Sequence, residues 1–137
     1  MIDSNELHRI LKECKTIAVV GLSANEMRPS FLSSQYMQDQ GYRIIPVNPN
    51  YEQILGEKCY PDLRSIPELV DMVDLFQRAD RVQPFVEQAI EIKARVVWMQ
   101  LDIINDEAAK IASDAGLEVV MDRCVKIEYA RLFAGQN

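Results

Sequence analysis

The chain has 137 residues, 48% of them hydrophobic, and a formal net charge of −6. That is enough for one domain with its own core, and no apolar run approaches the roughly 20 residues of a membrane span. An acidic balance argues against a nucleic-acid partner, and three widely spaced cysteines with one histidine lack the paired ligands of a metal site.

No repeat, low-complexity stretch or linker divides the chain, so residues 1–137 read as a single domain. The opening residues are polar and acidic, without the basic and apolar regions of a secretion signal, so the expected location is the cytoplasm. Asp3 with Glu6 predicts a capped first helix, with Leu7, Ile10 and Leu11 on its apolar face. Residues 16–20 are almost continuously apolar, as in a strand covered on both faces. After a polar loop, 31–40 predicts a helix stopped by Gly41.

Residues 43–47 predict a second strand, with Pro46 near its end. The turn-rich segment that follows allows a short strand around Lys58, Cys59 and Tyr60. Then come a strand over 70–76, a helix over 82–93 and a strand over 95–101. Asn105 caps a helix that ends at Gly116; 117–121 is a last strand and 125–133 a last helix. Alternation at this spacing predicts an α/β fold, a Rossmann-like doubly wound, mostly parallel sheet with helices on both faces. Ligands of such sheets sit beyond the carboxyl ends of the strands.

The first such end carries the most chemistry. Gly21 allows a sharp turn. Ser23 and Ser30 offer hydroxyls, and Arg28 offers a guanidinium fork for phosphate oxygens. Pro29 suits the first turn of a helix whose free N–H groups attract an anion. The loop lacks the further glycines of GxGxxG and has no GxxxxGK[ST]. The second strand ends in Val47, Asn48 and Pro49, without the acid that holds an NAD ribose. From the residues alone, the ligand is nucleotide-like and no more specific than that.

Several blocks in order then resemble a known family: Val20-Gly21-Leu22-Ser23, Arg28-Pro29-Ser30, Gly41 to Pro49, Gly56 to Tyr60, Val73 to Arg78, Trp98 to Leu101, and Val120 to Cys124. Together they resemble the small bacterial and archaeal CoA-binding proteins of the YccU type. That domain is similar to the CoA-binding part of succinyl-CoA synthetase α subunits and related acyl-CoA synthetases. The resemblance implies coenzyme A across the carboxyl edge of the sheet. Gly21, Ser23, Arg28 and Ser30 would meet phosphates, with Pro29 among the binding residues between them, and Val47, Asn48 and Pro49 would line the nucleotide. Phe76, Arg78, Gln100, Arg123 and Cys124 would stand at later strand ends on the same edge. Family members often have proline soon after the loop asparagine, where Glu26 stands here, and glycine after Trp-x-Gln-Leu, where Asp102 stands.

Other conspicuous residues read as structural. Trp98 is expected in the core and His8 away from the ligand edge. Cys14 and Cys59 are expected to be buried, and Asp71, Asp74 and Asp80 to be solvated or capping groups. No pair of acids is spaced for acid–base work, and no catalytic residue is assigned. The reading is a non-catalytic or regulatory module for CoA or a short acyl-CoA, because the synthetases' ATP-handling domain and phosphorylatable histidine have no counterpart here. A protein partner or homo-oligomer stays open. So do an NAD(P)- or FAD-binding oxidoreductase or redox sensor, and a protein-interaction domain with a vestigial nucleotide pocket.

Overall fold

In the computed structural model, which describes residues 2–134, the first helix α1 (Ser4–Glu13) starts where Asp3 accepts a hydrogen bond from the Glu6 N–H at 2.9 Å. Its buried face is Leu7, Ile10 and Leu11. The sheet strands are β1 (Thr16–Val20), β2 (Arg43–Val47), β5 (Met72–Leu75), β6 (Val96–Met99) and β7 (Glu118–Val120). They run parallel in the order β2-β1-β5-β6-β7. The helices between them are α2 (Pro29–Asp39), α3 (Gln83–Glu91), α4 (Asp106–Asp114) and α5 (Val125–Phe133).

The central strands are apolar on both sides because both sides are covered. Ile17, Val19, Met72, Val96 and Trp98 point into one core with α1, α2 and α5. Ala18, Val20, Val73, Leu75, Val97 and Met99 point into the other with α3 and α4. Each fully buried aliphatic side chain contributes roughly 1.5–3 kcal/mol. Trp98 lies wholly in the core, its indole N–H donating to the Arg123 carbonyl at 2.8 Å. The doubly wound architecture is the expected one.

Two details differ from expectation. Residues 58–60 do not form one strand. Instead β3 (Gln53–Ile54) and β4 (Glu57–Lys58) make a small antiparallel hairpin, and Tyr60 alone bridges to Val47 in parallel. Its N–H donates to the Pro46 carbonyl at 3.0 Å, and its carbonyl accepts from the Asn48 N–H at 2.9 Å. Tyr60 is thus a third strand cut to one residue, and the order becomes that of a Rossmann sheet. Pro46 stands near the end of β2, as expected, and is tolerated there because its polar groups face this outer edge, where a missing N–H breaks no bond to β1. Second, Asp74 is not a solvated group. It is 2% exposed in the middle of β5, because a central strand buries every residue it has. Asp71 does cap: its carboxylate accepts the Lys15 and Thr16 N–H groups at 2.8 and 3.0 Å. Asp80 is exposed and pairs with Arg78 at 3.1 Å.

Candidate functional site

The chain turns from β1 toward β2, while β5 lies on the other side of β1, so the strand order reverses between β1 and β5. A ligand crevice belongs there, beyond the carboxyl ends. An open cleft of about 390 Å³ occupies that place, lined by Gly21, Ser23, Arg28, Pro29, Ser30, Phe76, Gln77 and Ile103.

The first loop is built by its own side chains. Gly21 has φ +82°, and a Cβ on it would overlap the Phe76 carbonyl oxygen, so only glycine lets the loop lie against the end of β5. The Ser30 hydroxyl oxygen accepts from the Ser23 N–H at 3.0 Å, and the Ser23 hydroxyl oxygen from the Asn25 N–H at 3.0 Å. Asn25 Oδ1 accepts the Met27 N–H at 2.9 Å. Asn48 braces the loop from β2: its side-chain amide donates to the Leu22 carbonyl at 3.0 Å, and its Oδ1 accepts from the Asn50 N–H. The loop is therefore held in shape without a ligand.

Pro29 opens α2, as its fixed φ suits, and among the described residues no side chain caps the helix. Its first-turn N–H groups are left for an anion. Arg28 is exposed, and among the described residues its guanidinium makes no ion pair or hydrogen bond. A free guanidinium, an uncapped helix start and two serines around one cleft favour a phosphate or similar anion.

The other expected residues fall elsewhere. Val47 accepts the Gly21 N–H at 3.0 Å, so Val47, Asn48 and Pro49 adjoin the cradle without lining the cleft. Arg78 is exposed beside Gln77. Gln100 is 3% exposed; its amide donates to Asp74 Oδ1, and its Oε1 accepts the Val125 N–H at 3.3 Å. Burial drives the Asp74 carboxyl up to about 7 against that hydrogen bond. Gln100 thus joins β5, β6 and the start of α5 from below the edge.

Arg123 and Cys124 sit at the far side. Arg123 lines a larger hollow of about 680 Å³ with Asp106, Lys110, Met121 and Asp122, and it donates to Glu128 Oε1 at 2.5 Å. Burial opposes ionisation of Glu128, yet hydrogen bonds from Arg123 and Arg131 hold its carboxyl below the usual range. That hollow is larger, but both its cations are already paired, Arg123 with Glu128 and Lys110 with Asp114. Cys124 is half-buried at the N-cap position of α5. Glu26 is exposed and does not line the cleft; Asp102 is exposed with φ +68°, and its N–H donates to Asp122 Oδ1 at 2.7 Å.

Gln77 and Ile103 are cleft residues that sequence reasoning passed over. Gln77 lay inside a quoted block but between two more conspicuous residues. Ile103 gave no signal, since its place depends on how the loop after β6 folds back.

A doubly wound parallel sheet with a cleft at its switch point defines a domain of the Rossmann class. Comparison with known sequences is more specific: residues 15–130 match the family described as a CoA binding domain, and the chain belongs to that family. It is 40% identical over 125 residues to the uncharacterized protein YneT of Bacillus subtilis, covering 91% of this chain and 93% of YneT. It is 34% identical over 121 residues to acetate–CoA ligase [ADP-forming] I of Archaeoglobus fulgidus, covering 81% of this chain but 18% of the ligase. Among solved structures, a hypothetical protein from Pyrococcus horikoshii OT3 superposes with a TM-score of 0.94 at 41% identity, covering 96% of this chain and 93% of that one. No helix among the described residues is long and apolar enough to cross a membrane.

Proposed function

We propose that this protein binds coenzyme A or a short acyl-CoA at the carboxyl edge of its sheet, as a non-catalytic binding or regulatory module. The observation that carries the reading is the unpaired Arg28 guanidinium in the cleft with Ser23, Ser30 and the uncapped start of α2, in a chain of the CoA-binding family. In this reading the cradle takes phosphates, and Val47, Asn48 and Pro49 flank the nucleotide. Phe76 and Gln77 meet the part of the ligand that runs toward β5. Gln100 acts from beneath, by fixing the ends of β5 and β6. Arg78, Arg123 and Cys124 border the edge and take a smaller part.

The whole chain forms one binding unit in this reading. Three free thiols, Cys14, Cys59 and Cys124, suit a reducing compartment, so a cytoplasmic location goes with it. The ligand test is thermal denaturation with CoA, acetyl-CoA, NAD, NADP and FAD. A ligand that binds only the folded state raises the midpoint. CoA or acetyl-CoA is expected to do so; a response to nicotinamide or flavin dinucleotides alone would overturn the reading.

A further inference from the structure

The two edges of the sheet end differently. Beyond β2 the Tyr60 bridge closes the row, but beyond β7 no strand follows among the described residues. Successive residues of a parallel strand turn their backbone groups alternately toward and away from one neighbour. The Glu118 N–H donates to the Arg95 carbonyl at 2.9 Å, so Glu118 and Val120 face β6 and Val119 faces outward. The Val119 N–H and C=O have no partner among the described residues.

A groove runs along this edge. Two hollows of about 680 and 500 Å³ meet at Ile2, Ser113 and Val119, which line both. One wall is α4 and the other is α1; the floor runs from Leu117 to Met121. At about 3.3 Å per residue that floor has the length of a short strand. An unpaired edge of this kind is a template for another chain. An incoming strand satisfies Val119 and lays its alternate side chains on Ile2, Val119 and Met121.

The charges decide what such a strand carries. Arg9, Lys110 and Arg123 line the groove, and each is paired, with Glu118, Asp114 and Glu128. Glu6, Asp106 and Asp122 line it too, with no cation paired to them among the described residues. The uncompensated charges are therefore all negative. A second copy of this chain brings the same carboxylates to the interface, whereas a basic segment brings their complement.

We propose that the β7 edge docks an extended, basic segment of a partner protein, which joins the sheet as a further strand. Its backbone pairs with Val119, and its lysines or arginines meet Glu6, Asp106 and Asp122. The groove shares no lining residue with the cleft between β1 and β5, so a strand here and a ligand there do not compete.

The test is fluorescence anisotropy of three labelled peptides with blocked ends, titrated with the whole chain at low and at physiological salt. The first is lysine–valine–threonine–valine–lysine. The second has glutamate for both lysines. The third keeps the lysines but is methylated at every backbone nitrogen, so it cannot donate to a strand. The first alone is expected to bind, and more weakly as salt rises. Its affinity is expected to fall about tenfold on Val119→Pro, which removes only an N–H turned away from β6. On the double variant Glu6→Gln, Asp106→Asn a fall of about two- to tenfold is expected at low salt. No binding of the first peptide at about 1 mM, equal binding of either twin, or unchanged affinity in a folded Val119→Pro overturns the proposal. If the proline variant does not fold, the methylated peptide decides. A wild-type dimer in sedimentation that Val119→Pro dissociates also overturns it, giving the edge to a second copy.

Discussion

Gly21 lies so close to the end of β5 that a Cβ placed on it would overlap the carbonyl oxygen of Phe76. The same residue has φ +82°, and its N–H donates to Val47. One position therefore joins the first loop to the strands on either side of β1. Gly21→Ala combines left-handed strain with a backbone clash, and is expected to destabilise the fold by about 2–4 kcal/mol. Urea denaturation checks this; a loss below about 1 kcal/mol would mean that the loop moves aside freely.

Asp74 gives the protein a pH dependence. Its folded carboxyl titrates at about 7, above the ordinary 3.8, because burial disfavours the charge. The folded state thus holds a proton that the unfolded chain releases. The stability this contributes is complete below about pH 4, falls as pH rises, and is lost by the time pH passes 7. The fall amounts to a few kcal/mol in order of magnitude. Asp74→Asn keeps an acceptor for Gln100 but has no charge to bury. Its denaturation midpoint is expected to exceed that of the wild type at pH 8 and to change less between pH 5 and 8. Equal pH dependence in both proteins would contradict the account.

Asp102 occupies a left-handed backbone position, φ +68°, where the resemblance points to glycine. Asp102→Gly removes about 1 kcal/mol of strain and adds unfolded-chain entropy of similar size, so stability is expected to change little. The lost carboxylate is expected to tighten CoA binding at low salt, with the gain shrinking as salt rises. Weaker binding at low salt would show that Asp102 helps to hold the ligand.

The three thiols are expected to react in a fixed order. Cys14 is buried, and burial pushes its thiol up to about 12; Cys59 is buried and raised for the same reason. Cys124 is half-buried. Alkylation of the native protein at pH 8, read by mass spectrometry, is expected to mark Cys124 first and Cys14 only on unfolding. Early labelling of Cys14 would show that the α1 face opens readily.

The fold was legible because its signals are local. Apolar runs, Pro29 at a helix start and the Asp3 cap each follow from neighbours in the chain, and the cradle residues Gly21 to Ser30 lie within one short stretch, a loop and the first turn of α2. What was not legible depends on distant partners. Asp74 is buried because β1 and β6 flank it, and Gln100 is engaged because α5 starts beside it. Tyr60 bridges only one residue of β2, too short a pairing for any periodicity to reveal. Ile103 enters the cleft through a fold-back after β6, in which its N–H donates to the Gln100 carbonyl at 2.9 Å.

The most direct test of the CoA cradle is paired calorimetry of CoA on the wild type and on Arg28→Ala. Arg28 is exposed and unpaired among the described residues, so the substitution is expected to leave thermal stability nearly unchanged. A charged hydrogen bond to phosphate contributes roughly 1.5–3 kcal/mol, so affinity for CoA is expected to fall tenfold or more. Equal affinity in the two proteins, or no binding of CoA by the wild type, would contradict it.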